Sequence, residues 1–134
     1  MNTENRILDL SFDFSLSVIE LYKSLVNQKE FFISKQLLKS ATSIGANVEE
    51  ANAAFSKKEF IAKMSIASKE ARETRYWLRL LDRSNLVELN YVTYLEFIEQ
   101  IIRVLTNTDW ISVMDQFYWP KQLSHRYYTG NFLV

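Results

Sequence analysis

The residues Phe60, Met64, Ala67, Ala71, Thr74, Leu78 and Leu81 are spaced alternately by four and three, or by three and four, over three heptads. That spacing returns a side chain to the same face of an α-helix after each step and to alternating faces of a strand, so it selects a helix with one buried stripe. Three further segments repeat it. Ile7, Leu10, Phe14, Val18, Leu21 and Leu25 form one stripe, and Leu37, Ala41, Ile44, Val48, Ala51 and Phe55 a second. Tyr91, Leu95, Ile98, Ile102 and Leu105 form the last. Helices are therefore predicted over about 5–27, 32–55, 57–83 and 90–106. Seams of this width suit the shallow crossings of a bundle, and short connections make sequence neighbours antiparallel. The expected fold is all-α, an antiparallel up-and-down four-helix bundle.

The ends of the helices carry chemical signals. Ser56 and Glu59 have the S-x-x-E spacing in which each side chain satisfies a free backbone N–H near a helix start. Ser84 and Asn85 close that helix, and Asn90 is a candidate N-cap for the fourth. Gly is limited to 2 residues and Pro to 1, too few for the turns of an all-β or doubly wound sheet fold. The 134 residues suffice for one domain with its own core. The bundle is expected over 1–109. From Trp110 onward the character changes: Phe117, Tyr118, Trp119, Pro120, Tyr127, Tyr128 and Phe132 follow no helical or strand period, so 110–134 reads as an irregular aromatic tail.

Several functional classes drop out on composition. With no Cys there are no disulfides, thiolate metal sites or cysteine nucleophiles, and nothing calls for an oxidising compartment. Every long apolar stretch is broken by charge, and the first residues lack the apolar run of a signal peptide, so a cytoplasmic protein with no membrane association is expected. The single histidine, His125, lies in the tail. A di-iron bundle needs Glu-x-x-His pairs, so Glu49, Glu50, Glu70 and Glu73 read as solvated or ion-paired carboxylates. A metal cluster of these four is the weakest alternative. Gly45 and Gly130 stand alone, without a phosphate loop. No catalytic residue, cofactor, metal or small-molecule substrate is expected.

Two features remain as candidate contact sites. Helix two carries the small-residue run Ser40 to Asn47, within which Gly45 costs about 1 kcal/mol of helix propensity against Ala. A close crossing at Gly45 and Ala46, with Asn47 and Glu50 beside it, is the expected reason, either within the chain against helix three or between subunits. Helix three holds Lys69, Arg72, Arg75, Arg79 and Arg83 within an arc of about 120°, with Tyr76 among them. Glu70, Glu73 and Trp77 occupy the other flank. Lys57, Lys58 and Lys63 extend the basic content, giving the stretch 57–83 a surplus of four positive charges in a chain balanced at 16 basic and 16 acidic residues. Three uses of this face stay open: a solvated surface tied by pairs such as Lys69 with Glu73, contacts between subunits, and nucleic acid. Phe12, Ile19, Phe31, Phe32, Ile61, Ile66, Trp77 and Leu80 fall off the seams, and the apolar surface they would leave favours self-association.

The run Ser43-Ile44-Gly45-Ala46-Asn47-Val48-Glu49-Glu50-Ala51, then Ser56-Lys57-Lys58-Glu59-Phe60 and Lys69-Glu70-Ala71-Arg72-Glu73-Thr74 with Tyr76-Trp77-Leu78, resembles a bacterial family. Its members are four-helix bundle proteins encoded in intervening sequences of the large-subunit ribosomal RNA gene, often labelled ribosomal-protein-like. The resemblance spans about residues 5–106. The family is similar to the accessory protein of diversity-generating retroelements, a pentameric ring of bundles that works with a reverse transcriptase and RNA. The resemblance thus implies a homo-oligomer, a pentamer, with RNA or an RNA-binding protein as a further partner. The balanced charge places assembly ahead of RNA.

Overall fold

The structure is a computed structural model that describes residues 3–110, 112 and 113. Four α-helices make up its body: α1 (Thr3–Asn27), α2 (Ile33–Asn52), α3 (Lys57–Ser84) and α4 (Val92–Asn107). No strand occurs among the described residues. Each helix packs on two others, α1 and α3 lying diagonally with α2 and α4 between them. Contacts between chemically matched residues give the directions. Thr74 meets Ser40 while Lys63 meets Glu50, so α2 and α3 run in opposite senses. Arg75 meets Glu99 while Arg72 meets Thr106, which makes α3 and α4 antiparallel too.

The core is the set of stripes. On α3 the seven expected residues are the seven that are buried. Thr74 is the polar member, and its Oγ1–H has Ser40 Oγ at 2.9 Å and the Glu70 carbonyl at 2.8 Å. A buried hydroxyl without such partners would cost about 1–3 kcal/mol. On α4, Ile101 and Val104 are buried beside the expected Ile98, Ile102 and Leu105, whereas Leu95 is only half-buried. The apolar face of α4 is wider than a single seam, because it lies against both α1 and α3.

Two helix ends differ from expectation, each for a local reason. α2 stops at Asn52, and Phe55, expected in its core stripe, is 47% exposed. The capping of α3 competes with continuing α2: Ser56 is extended and its Oγ accepts from Glu59 N–H, while the Glu59 carboxylate reaches back to Phe55 N–H at 3.0 Å. Those bonds require a non-helical chain at 55 and 56. α4 has Tyr91 rather than Asn90 at its N-cap; Asn90 Oδ1 still accepts from Val92 N–H at 3.0 Å. The Tyr91 ring is buried and its hydroxyl donates to the Val87 carbonyl at 2.7 Å. Burial, then Asp82 and Glu30, push that phenol above its usual range, so it remains a neutral donor at physiological pH.

The turn from α1 to α2 is a Schellman motif. Glu30 N–H bonds to the Leu25 carbonyl and Lys29 N–H to that of Val26, with Lys29 left-handed at φ 65°. The turn brings the Glu30 side chain onto the first N–H groups of α2.

Gly45 packs against α1, where a Cβ would lie 3.5 Å from the Ser11 carbonyl oxygen and from Ser15 Oγ. The expected crossing partners were helix three or another subunit; the intrachain neighbour is instead α1, because α2 turns its opposite side, with Ser40, toward α3. A methyl fits there at ordinary contact distance. Gly45→Ala should therefore raise stability by about 0.5–1 kcal/mol through helix propensity, measurable as a shift in the urea midpoint; a loss of stability would show that the α1–α2 spacing has no room for it.

Candidate interaction surface

Helix α3 separates charge across its solvent side. Lys57, Lys58, Lys69, Arg72, Arg79, Arg83 and Tyr76 are exposed, and Arg75 is half-buried. The structure divides these residues by engagement. Arg75 Nη1 donates to Glu99 Oε1 of α4 at 3.0 Å, and Arg72 donates to Ser68 Oγ at 2.6 Å with Thr106 Oγ1 of α4 at 3.4 Å. These two therefore brace α3 to α4. Lys69, Arg79 and Arg83 make no ion pair among the described residues, and Tyr76, 55% exposed, stands with them.

The opposite flank is acidic and aromatic. Glu73 Oε2 accepts from Trp77 Nε1–H at 3.3 Å, and the Trp77 ring meets Tyr76 edge-on at 5.1 Å. The expected Lys69–Glu73 pair is absent among the described residues, because this indole holds the Glu73 carboxylate. Partial burial, reinforced by the neighbouring Glu73 charge and opposed by Lys39, raises the Glu70 carboxyl above its ordinary value. Neither carboxylate forms an ion pair among the described residues.

The α2 residues singled out with Gly45 do not join this face. Ala46 is exposed, and Asn47 donates to the Ser43 carbonyl and Ser43 Oγ of its own helix rather than across a crossing. Glu50 pairs with Lys63 at 3.1 Å. Among the described residues no three His, Cys, Asp or Glu side chains group as a metal site, so Glu49, Glu50, Glu70 and Glu73 do not converge. Of the off-seam apolar residues, Phe12, Ile19, Phe31, Phe32, Ile61 and Ile66 are exposed, whereas Trp77 and Leu80 are half-buried. Trp110, expected to open the tail, belongs to the bundle: its Nε1–H donates to the Leu105 carbonyl at 2.9 Å and its ring lies 6.2 Å from that of Phe60. The rest of the expected aromatic tail lies outside the described residues, apart from Ser112 and Val113.

A bundle with this motif-bearing α3 matches a known family over nearly its whole length. Residues 3–107 fit the family model described as 23S rRNA-intervening sequence protein. The chain belongs to that family. A solved relative supports the fold: the crystal structure of a protein of unknown function from the S23 ribosomal protein family of Bacteroides thetaiotaomicron VPI-5482 is 43% identical, with a TM-score of 0.75, and the match covers 86% of this chain and 100% of that one. No curated protein is significantly similar to the chain. No helix among the described residues is long and apolar enough to cross a membrane.

Sequence reasoning found the two charged flanks but missed which members are already engaged. Glu99, Thr106 and Lys39 lie on other helices, and only the pairing of helices brings them to α3.

Proposed function

We propose that the chain is a non-enzymatic assembly module of the cytoplasm, a homo-oligomer in which the acidic flank of α3 in one copy meets the basic flank of the next. The observation that carries this reading is the split surface of one helix: Lys69, Arg79 and Arg83 on one side, Glu70 and Glu73 on the other, none of them in an ion pair among the described residues. Two different patches in contact make a head-to-tail interface, which closes into a ring when the rotation permits; the family resemblance implies five members. Exposed Ile66, at 40%, and half-buried Trp77 lie on the acidic flank and supply apolar area within the same contact.

Sedimentation at micromolar concentration should give an oligomer, and a stable monomer would overturn the proposal. Charge reversal locates the interface. Glu73→Arg or Arg79→Glu alone should weaken association at least ten-fold, whereas the double reversal restores opposite charges across the joint and should recover much of it. If both single variants associate like the parent, the interface lies elsewhere.

The exposed Tyr76 among unpaired cations favours RNA as a second reading, since stacked bases and phosphates need those groups together. Binding to single-stranded RNA would then fall steeply with salt and with Arg79→Gln and Arg83→Gln. Binding indifferent to both removes this reading.

A further inference from the structure

At the opposite end of α4 from Tyr91, a groove of about 420 Å³ opens between α1 and α4, lined by Arg6, Gln100, Arg103, Val104, Asn107 and Thr108. Five of these six side chains are polar. Two are guanidinium groups, one on each helix, and none is a carboxylate. Arg6, Gln100, Arg103, Asn107 and Thr108 have no side-chain hydrogen bond or ion pair to the described residues. Elsewhere this bundle engages its half-exposed arginine: Arg75 has Glu99.

Two like charges along one groove repel, and the repulsion is relieved by an anion between them. The buried Val104 is the apolar member of the lining, and the guanidinium groups can make charge-assisted bonds to whatever is bound. Helix dipoles do not decide the matter, because the positive end of α1 and the negative end of α4 lie together here and oppose each other. Glu96 lines the adjoining depression with Phe97, Thr93 and Arg103, and it forms no ion pair with Arg103 among the described residues. Asp109, beside Thr108, has its Oδ1 on Ser112 N–H at 3.2 Å.

We infer that this groove is a binding site for a phosphate-type oxoanion, with Arg6 and Arg103 supplying the charge and Gln100, Asn107 and Thr108 the neutral donors. A tetrahedral anion has more acceptor positions than a planar carboxylate, and two guanidinium forks with an amide and a hydroxyl meet them from several sides. The phosphate is either that of a small phosphorylated compound or that of a nucleic-acid backbone. The site is separate from the unpaired cations of α3 and does not depend on assembly.

The test is a titration of the full chain, followed by amide and arginine Nε resonances, with inorganic phosphate, adenosine monophosphate and a single-stranded oligoribonucleotide in turn. Perturbations should centre on residues 100–108 and Arg6. Arg103→Gln and Arg6→Gln should each lower affinity at least ten-fold, and Gln100→Glu should abolish binding, while Lys35→Gln changes it less than two-fold. Saturation by phosphate or the mononucleotide assigns the site to a small compound. Binding confined to the oligonucleotide, and weakened by the same variants, assigns it to a backbone. Binding absent for all three probes, or unchanged by Arg6→Gln and Arg103→Gln in folded protein, overturns the inference.

Discussion

Replacing Glu30 by alanine is expected to cost the bundle about 2–4 kcal/mol, a large share of the roughly 5–15 kcal/mol that holds a domain folded. The carboxylate, buried at 8% exposure, accepts three backbone bonds at the start of α2: from Phe32 and Ile33 N–H to Oε1 at 3.1 and 2.8 Å, and from Ser34 N–H to Oε2 at 2.6 Å. These are N–H groups with no partner inside the helix, and the positive end of the α2 dipole adds to their pull on the charge. Phe32, the N-cap residue, has no side chain able to accept, so nothing replaces Glu30. Ser34 is buried, and its N–H would be left without water or protein. Glu30→Gln keeps one acceptor oxygen and should cost about half as much. Urea unfolding of the three proteins measures the difference, and exchange of the Phe32 to Ser34 amides localises it. A cost below about 0.5 kcal/mol for Glu30→Ala would mean that water caps α2 equally well.

What the amino-acid sequence revealed follows the range over which each interaction acts. The α3 stripe could be read residue by residue, since a heptad reports burial on a single helix and needs no knowledge of neighbours. The Ser56 cap and Glu59 were legible for the same reason. Phe55 was not, because its fate depends on a competition between the end of α2 and the capping of α3. Glu30 lies outside every stripe, and its role depends on the left-handed Lys29, where the usual glycine signal is missing. On the surface, the opposite flanks of α3 emerged from angular spacing, but the ties of Arg75 to Glu99 and Lys63 to Glu50 required the order of helices around the bundle. Arg6 and Arg103 lie far apart in the chain and on different helices, so no local pattern could join them. Charge placement along a helix is local information, and charge pairing is tertiary.

That distinction makes the α1–α4 seam the sharpest place to couple stability to the candidate groove. Phe14 of α1 is wholly buried and meets Phe97 of α4 edge-on, with ring centroids 5.1 Å apart at 67°. Phe97 is one helical turn from Gln100, and both line the depression that Arg103 shares with the groove. Phe14→Ala should lose about 3–5 kcal/mol, from lost burial and the cavity left where the rings meet. Phe14→Leu keeps most of the volume and should lose about 1–2 kcal/mol. The leucine variant stays folded, so it can report on function: with the seam loosened, Arg6 and Arg103 are held less firmly, and affinity for the oxoanion should fall several-fold although no groove residue has changed. Unfolding curves and the phosphate titration on one preparation test both statements. A Phe14→Ala cost below about 1.5 kcal/mol would show that α1 and α4 close over the gap, and unaltered affinity in Phe14→Leu would show that the groove walls are set by contacts other than this aromatic pair.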